Sequence, residues 1–269
     1  MNLFKSKIMY LTYAFLGTFI IMISMHLIKK QNPIDNHIRD LYPNTNEKIK
    51  YQLEWQKEFY FNRINKFKNK PIGFHKIVLL GNSITQSGGD WNKRLNANNI
   101  INRGISGDYT EGIIKRLDEI IYYKPTAVFL LIGVNDIFKD NSNNPEINPS
   151  YVAKNIIKIA DKIKNGSPAT QVFIQTILPI NNQLYMEMKK VDYNFLKSDY
   201  HPSINEQINK INSILINNKK HNIIDLYNFF KNKEGVLDSN FSTDGVHLNQ
   251  EGYRVWTEAI APIVMSLNK

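Results

Sequence analysis

The sequence predicts a three-layer α/β/α sandwich with a mostly parallel five-stranded sheet, preceded by an N-terminal transmembrane helix. Short runs rich in Ile, Val and Leu alternate along the chain with stretches in which apolar residues recur at helical spacing. These runs are apolar at consecutive positions, which is typical of strands buried on both faces of a parallel sheet. An uncharged stretch at residues 8–28 predicts the transmembrane helix.

Residues 1–30 are predicted to form a signal anchor. No Asp, Glu, Lys or Arg occurs at residues 8–28, and a helix of this length spans roughly 30 Å, the thickness of the hydrocarbon core. Lys5, Lys7 and the N-terminal amine favour an inside N-terminus, so we expect the rest of the chain outside the cytoplasm, in a bacterial-type envelope. The alternative is secretion after signal cleavage, although Ser24-Met25-His26 fits a cleavage site poorly.

The composition narrows the possible kinds of site. The chain has 269 residues and no cysteine, which excludes disulfide scaffolds, thiolate metal sites and cysteine nucleophiles. The formal net charge is +10, but the lysines are spread among asparagines and isoleucines and form no dense basic block. Since no nucleic-acid motif accompanies the charge, we expect no nucleic-acid partner and interpret the lysines as solvated. A basic surface also suits an anionic membrane.

The chain after the anchor is predicted to contain a linker at residues 31–45 and one folded domain at residues 46–269. A leading helix is predicted over residues 46–69 and the core over residues 76–269. The aromatic residues Trp55, Phe59 and Phe61 of the leading helix are expected to pack against the domain and not to bind a ligand.

Five strands are predicted in the core. The first begins near Lys76, and the others cover residues 99–102, 127–132, 171–177 and 222–226. Capping-box spacing predicts helix starts at Asp108, with Glu111, and at Ser203, with Glu206. Residues 181–202 show no clear period and are predicted to be a long loop.

Three of the predicted strands end next to residues that suit nucleophilic catalysis. Ser83, Gly107 and Asn135 follow the first, second and third strands, and the carboxyl ends of parallel strands meet at one edge of a sheet. His247 is the best candidate base, and Asp244 lies three residues before it, where a carboxylate can orient the imidazole. We therefore expect these residues to form one site.

These residue types meet the requirements of ester hydrolysis through a serine. Ser83 supplies the hydroxyl, His247 takes its proton, and Asp244 holds the imidazole. The backbone N–H groups of Ser83 and Gly107 and the side-chain amide of Asn135 are the predicted oxyanion donors, each typically worth about 3–4 kcal/mol of the barrier. This chemistry requires no metal ion and no organic cofactor.

Four short motifs, in this order, resemble those of the SGNH or GDSL family of serine esterases and lipases. They are Gly81-Asn82-Ser83-Ile84-Thr85, Asn102-Arg103-Gly104-Ile105-Ser106-Gly107-Asp108, Gly133-Val134-Asn135-Asp136 and Asp244-Gly245-Val246-His247. The resemblance covers about residue 76 to the C-terminus and implies an SGNH-hydrolase domain with a flavodoxin-like sheet and acylhydrolase activity. It also implies that Gly107, and not Gly104, is the oxyanion glycine. Asn82 stands where the family name has aspartate, which we expect to alter local hydrogen bonds without abolishing activity.

The resemblance leaves the substrate open. We expect a small acyl group, acetyl, on a carbohydrate, because residues 181–202 contain no apolar stripe suited to a long acyl chain. Tyr185, Tyr193 and Tyr200 in this segment are candidates to stack on sugar rings or to pack in the core or a lid. A lysophospholipase or lipase at the membrane is the alternative, and an O-acetyltransferase would use the same acyl-enzyme. A non-catalytic carbohydrate-binding protein is disfavoured by the complete set of catalytic residue types. The oligomeric state is not predicted.

Overall fold

Five parallel strands form one sheet in the computed structural model, which describes residue 38 and residues 40–267. The strands are β1 (Ile77–Gly81), β2 (Ile100–Gly104), β3 (Ala127–Leu131), β4 (Gln171–Gln175) and β5 (Asn222–Ile224). Their order across the sheet is β2-β1-β3-β4-β5, the flavodoxin-like order that was expected. Every pair of neighbouring strands is parallel, so the predicted sheet is confirmed.

Helices connect the strands and flank the sheet. Those of the described residues are α1 (Glu54–Asn69), α2 (Ser83–Ser87), α3 (Trp91–Leu95), α4 (Thr110–Ile114), α5 (Asp118–Tyr123), α6 (Val134–Ile137), α7 (Pro149–Gly166), α8 (Asn182–Lys189), α9 (Ile204–Asn217), α10 (Tyr227–Phe230) and α11 (Gln250–Leu267). Short 3₁₀ turns occur at Asn194–Leu196 and Ser239–Phe241.

The sheet is covered on both faces. β1 and β3 are buried at every position, and successive side chains of a strand point to opposite faces. Leu79 and Phe129 share one core cluster with Trp91 of α3 and Trp256 of α11. α7, whose buried residues lie outside this cluster, packs against β4 and α9. Removing a fully buried ring such as that of Trp256 would cost about 3–5 kcal/mol of folding free energy.

One of the two predicted capping boxes is present. At the start of α9, Ser203 Oγ accepts a hydrogen bond from Glu206 N at 3.2 Å, and Glu206 Oε2 accepts one from Ser203 N at 2.6 Å. The capping box predicted at Asp108 is wrong, because α4 begins at Thr110 and the Asp108 carboxylate pairs with a buried arginine instead. In both predicted boxes the acidic residue follows the cap residue by three positions. The spacing alone therefore does not show that Asp108 pairs with a distant arginine.

Two predicted segments differ from the structure. The leading helix α1 begins at Glu54 and not at residue 46, and a hydrogen bond of 2.8 Å from Leu53 N to Gln56 Oε1 fixes its start. Residues 181–202 are not a structureless loop, since they contain α8 and one 3₁₀ turn. The sequence of α8 shows no helical repeat of apolar residues because this helix has no fully buried residue.

The aromatic residues of α1 do not all pack in the core as expected. Phe61 is buried, whereas the side chains of Trp55 and Phe59 are 58% and 37% exposed. The prediction was therefore wrong for the last two residues.

The predicted membrane helix lies outside the described residues. Among residue 38 and residues 40–267, none of the helices has both the length and the apolar composition that crossing a bilayer requires. The signal anchor at residues 1–30 stays a prediction.

Candidate active site

Ser83 is the first residue of α2, directly after the turn that ends β1. Asn82 caps this helix, because its Oδ1 accepts a hydrogen bond from Ile84 N at 3.0 Å. The Tyr253 hydroxyl donates to Ile84 O at 2.7 Å and fastens the helix to α11. β1 lies between β2 and β3, so Ser83 sits at the point of the sheet where the strand order reverses, which is where open α/β sheets bind ligands.

The turn from Asp244 to His247 folds these two side chains against each other. Asp244 Oδ1 accepts hydrogen bonds from Val246 N at 3.1 Å and from His247 N at 2.8 Å. Asp244 Oδ2 lies 2.9 Å from His247 Nδ1. Gly245 has φ of +87°, and a Cβ there would lie 2.3 Å from Asn181 O, so this position needs glycine.

The structure brings the predicted nucleophile, base and orienting carboxylate together. His247 Nε2 lies 3.1 Å from Ser83 Oγ, although 164 residues separate them in sequence. With the contact from His247 Nδ1 to Asp244, the three side chains form a continuous line, here called the serine–histidine–aspartate cluster. Ser83 and His247 are half-buried and reachable by a ligand. Such an arrangement can transfer the hydroxyl proton to the imidazole.

Asp244 has a further partner in Lys189, the last residue of α8. Lys189 Nζ lies 2.8 Å from Asp244 Oδ2. Burial by itself would raise the pKa of Asp244, but hydrogen bonds from His247 and Lys189 outweigh burial and hold the pKa well below its usual value. The carboxylate is therefore ionised at neutral pH. Sequence reasoning missed Lys189, because no motif marks a lysine in residues 181–202.

The predicted oxyanion donors line the same cavity as Ser83. Gly107 has φ of +75°, a conformation that favours glycine. In the part of the chain that the structure describes, the backbone N–H groups of Ser83 and Gly107 donate to no other residue, so both are free to bind a ligand. Asn135 Nδ2 donates to Asp108 O at 2.9 Å, which uses one of the two N–H bonds of the amide.

A buried ion pair between Arg116 and Asp108 holds the turn that contains Gly107. Arg116 Nη2 lies 2.8 Å from Asp108 Oδ2. The same guanidinium donates to Gly81 O at 3.2 Å and to Arg103 O at 2.8 Å, near the carboxyl ends of β1 and β2. Burial raises the pKa of Asp108 to about 6, against the lowering effect of Arg116. The Arg116 side chain thus joins the turn that follows β1 to the turn that follows β2.

Asp136 joins the turn that follows β3 to the segment that follows β2. Its carboxylate accepts hydrogen bonds from the Thr110 hydroxyl at 2.6 Å and from Thr110 N at 3.1 Å, at the start of α4. Burial raises the pKa of Asp136 to about 7, against the lowering effect of these hydrogen bonds. The neighbouring Asn135 makes a parallel link through its hydrogen bond to Asp108 O.

The serine–histidine–aspartate cluster opens into a cavity of about 980 Å³. Its wall is rich in aromatic rings, which belong to Tyr51, Trp55, Tyr109, Phe138 and Tyr185. Trp55 lies against Gly107, since a Cβ built on that glycine would come within 3.2 Å of the indole ring. The segment just before and at the start of α1, residues 51–56, therefore forms one side of the cavity. Sequence reasoning missed this role because an exposed tryptophan and a packing one look alike in a periodic helix.

The three tyrosines considered for sugar stacking lie in different surroundings. Tyr185 lines the cavity. Tyr193 stacks on Phe195 with ring centroids 5.4 Å apart, and the Tyr200 hydroxyl contacts Asp140 at 3.4 Å. Among residue 38 and residues 40–267, no three His, Asp or Glu side chains are grouped so that they could hold a metal ion.

Comparison with protein families matches residues 79–255 to the GDSL-like lipase/acylhydrolase family. An N-acylneuraminate cytidylyltransferase from Escherichia coli is 27% identical over 209 residues, which cover 76% of this chain but only 43% of that protein. A GDSL esterase/lipase from Oryza sativa subsp. japonica is 26% identical over 205 residues, which cover 70% of this chain and 76% of that protein. The chain thus spans less than half the length of the first relative.

Solved structures share the fold. A GDSL-like lipase from Bacteroides thetaiotaomicron superposes with a TM-score of 0.61 at 21% identity, covering 77% of this chain and 97% of that one. An acetyl xylan esterase superposes with a TM-score of 0.52 at 22% identity, covering 70% of this chain and 99% of that one. The matched family region begins at residue 79, so the cavity wall at residues 51–56 lies outside it.

Proposed function

Because the chain belongs to the GDSL-like lipase/acylhydrolase family, a family of carboxylic ester hydrolases, we propose that it cleaves small acyl esters through an acyl-enzyme on Ser83. The observation that supports this proposal is the 3.1 Å contact between Ser83 Oγ and His247 Nε2, with Asp244 on the far side of the imidazole. The base lies at hydrogen-bond distance from the proton that it must take.

The reaction has two half-reactions. Ser83 Oγ attacks the carbonyl carbon of the ester while His247 Nε2 takes the hydroxyl proton. The alcohol leaves with that proton as the tetrahedral intermediate collapses, and the acyl group stays on Ser83. Water then attacks the acyl carbon and gives a proton to His247, which returns it to Ser83 as the acid departs. Asp244 stabilises the imidazolium that forms in each half-reaction.

The negative charge that develops on the carbonyl oxygen needs donors that are already in place. The unpaired N–H groups of Ser83 and Gly107 are suited to this role, and so is the remaining N–H bond of the Asn135 amide. All three residues line the cavity next to the serine–histidine–aspartate cluster. We assign them to the oxyanion hole.

We propose acetyl esters of carbohydrates as the substrate class. An acetyl xylan esterase shares the fold of this chain, which supports this class. The aromatic wall of the cavity offers flat apolar faces of the kind on which sugar rings stack, with Trp55 and Tyr185 on it.

Hydrolysis of longer acyl chains is the second candidate. A cavity of about 980 Å³ is larger than an acetyl group needs, and the apolar side chains of Leu53 and Val246 contribute to its wall. A lysophospholipase or lipase would place an acyl chain there. Transfer of the acetyl group to a sugar hydroxyl would use the same acyl-enzyme and differs only in the acceptor.

The test uses the purified full-length chain with 4-nitrophenyl esters whose acyl groups range from acetyl to decanoyl. The variant Ser83→Ala should fold as the wild type does and lose nearly all turnover, by a factor on the order of 10⁶. Ser87→Ala, which removes another hydroxyl from the same cavity, serves as the matched control. Retention of wild-type hydrolysis in Ser83→Ala would refute the mechanism.

The chain-length profile separates the two substrate classes. A preference for acetyl that Ser83→Ala abolishes supports the proposal. A preference for decanoyl supports a lipase. Excess acyl transfer to an added sugar, relative to release of free acid, supports the transferase.

We further propose that residues 1–30 anchor the enzyme in a membrane with the active site outside the cytoplasm, as the uncharged stretch at residues 8–28 suggests. The full-length chain should then remain in the membrane fraction after washing at high pH. Recovery of the chain in the soluble fraction would contradict an anchor.

A further inference from the structure

Lys139 is a half-buried cation on the wall of the active-site cavity. Its Nζ lies 4.6 Å from the centroid of the Tyr109 ring and 5.3 Å from that of the Tyr51 ring. Within the described residues, no carboxylate lies at ion-pair distance from this ammonium, and burial lowers its pKa, although Asp136 has an opposite effect. A desolvated cation without a carboxylate partner is costly, so its position calls for a reason.

The carboxylates near this part of the cavity already have other partners. Asp140 also lines the cavity, but it is exposed and its Oδ1 accepts from Ser142 N at 2.9 Å. Glu146 accepts from the Tyr51 hydroxyl and lies 3.6 Å from Lys50 Nζ. The carboxylate of Asp136 is turned towards Thr110. Lys139 therefore places a positive charge on the cavity wall without a carboxylate at ion-pair distance.

The aromatic rings around Lys139 are held in place. Tyr51 has φ of +66°, a conformation uncommon for a residue with a Cβ, and its hydroxyl is bound to Glu146. The Tyr109 hydroxyl donates to Gln56 Oε1 at 3.0 Å. The rings hold the ammonium by cation–π attraction and leave its N–H bonds without a carboxylate acceptor. A ligand with a negative charge would supply that acceptor.

We propose that Lys139 forms an anion subsite next to Ser83, and that the preferred ester carries a carboxylate or a phosphate on its alcohol portion. This inference rests on the proposed esterase function and specifies its substrate class. An acidic sugar and a glycerol phosphate share the required chemistry. In either case the anion binds Lys139 while the ester carbonyl lies at Ser83, and Trp55 covers the apolar face of the alcohol portion.

Two matched pairs of acetate esters test the subsite. One pair is a methyl glucuronide and a methyl glucoside acetylated at the same hydroxyl, and the other is acetylglycerol phosphate and acetylglycerol. We expect the wild type to prefer the anionic member of at least one pair, and that pair identifies carboxylate or phosphate as the source of the charge. The preference is measured as the ratio of the two kcat/KM values.

The variant Lys139→Met should lower the anionic-to-neutral ratio by roughly 10- to 100-fold, mainly through KM, because a hydrogen bond to a charged group is lost. Lys139→Arg keeps the charge and should retain most of the ratio. Lys158→Met removes the same charge from the exposed face of α7 and should leave the ratio unchanged, which controls for net charge.

Two results would overturn the inference. One is a wild type without preference in either pair, and the other is an equal fall of both kcat/KM values in Lys139→Met, which indicates a structural role. If no ester is turned over in a Ser83-dependent manner, the proposed function fails by itself. Calorimetric binding of the anionic esters to Ser83→Ala and to Ser83→Ala/Lys139→Met then decides the subsite, which is refuted if the two affinities are equal or if neither variant binds.

Discussion

Lys189 Nζ lies 2.8 Å from Asp244 Oδ2, the same carboxylate oxygen that lies 2.9 Å from His247 Nδ1. One oxygen thus serves both an ammonium on α8 and the imidazole of the serine–histidine–aspartate cluster. Both groups help to hold the pKa of Asp244 well below its usual value. α8 is consequently coupled to the serine–histidine–aspartate cluster by charge, although none of its side chains is fully buried.

Removing this ammonium should weaken the folded protein at neutral pH. Hydrogen bonds from His247 and Lys189 hold the pKa of Asp244 well below its usual value, so the ionised carboxylate stabilises the folded chain above that usual value, and this stabilisation is lost as the pH falls. Lys189→Met removes one of these hydrogen bonds and should lower the free energy of unfolding at neutral pH by less than about 1 kcal/mol, because the Lys189 side chain is 44% exposed. Lys190→Met removes the adjacent charge and serves as the control in denaturant unfolding. Equal free energies of unfolding in the two variants would show that the pair with Asp244 contributes nothing.

The Asn135 amide should contribute to the rate and little to folding. If its free N–H bond stabilises the oxyanion, Asn135→Ala should lower kcat by roughly 10²–10³-fold. The hydrogen bond to Asp108 O is also lost, which should cost about 1 kcal/mol of unfolding free energy. Steady-state kinetics and denaturant unfolding measure the two effects separately. An unchanged kcat would remove Asn135 from the oxyanion hole.

The Arg116–Asp108 pair should be essential to stability. Both side chains are almost completely buried, so Arg116→Met leaves the Asp108 carboxylate without its cation and removes the hydrogen bonds to the two carbonyl oxygens of Gly81 and Arg103. The free energy of unfolding should fall by about 3–5 kcal/mol. Adding Asp108→Asn should recover part of this loss, because the second substitution removes the uncompensated charge. Denaturant unfolding of the double variant measures the recovery. If the double variant loses as much unfolding free energy as the two single variants together, Arg116 and Asp108 are not directly coupled.

Asp136 should make the protein less stable as the pH rises towards neutrality. Its pKa is raised from 3.8 to about 7 by burial, so between these values the folded chain holds a proton that the unfolded chain has released. The free energy of unfolding therefore falls as pH rises through this window, and each pKa unit is worth about 1.4 kcal/mol. Asp136→Asn should flatten the profile between about pH 5 and about pH 7, with a residual slope from Asp108. Asp140→Asn, at an exposed carboxylate whose pKa is lowered, should keep the wild-type slope there. Parallel profiles for Asp136→Asn and the wild type would refute the assignment.

Much of the fold was predictable because the strands are buried on both faces and leave uninterrupted apolar runs in the sequence. The glycines and polar residues that end those runs marked the sheet edge where Ser83, Gly107 and Asn135 lie. His247 and Asp244 were predictable as partners because three residues separate them. These signals are local, and the parallel topology then brings them to one edge.

The partners that sequence reasoning missed are joined by tertiary contacts alone. Lys189 and Lys139 are two among many lysines, and nothing in their neighbours shows that one binds Asp244 and the other lines the cavity. Asp108 has the spacing of a helix cap, but a buried guanidinium from further along the chain takes its carboxylate. The cap of α4 comes instead from Asp136, 26 residues away.

The 164-residue separation of Ser83 and His247 has a consequence for the order in which the protein matures. Contacts between distant residues form late, because the entropy of closing a long loop must first be offset by the elements in between. Ser83 belongs to the first strand unit and His247 to the turn before the last helix. A partly synthesised chain that ends before His247 lacks the proposed base, so the site stays incomplete until this turn has been synthesised.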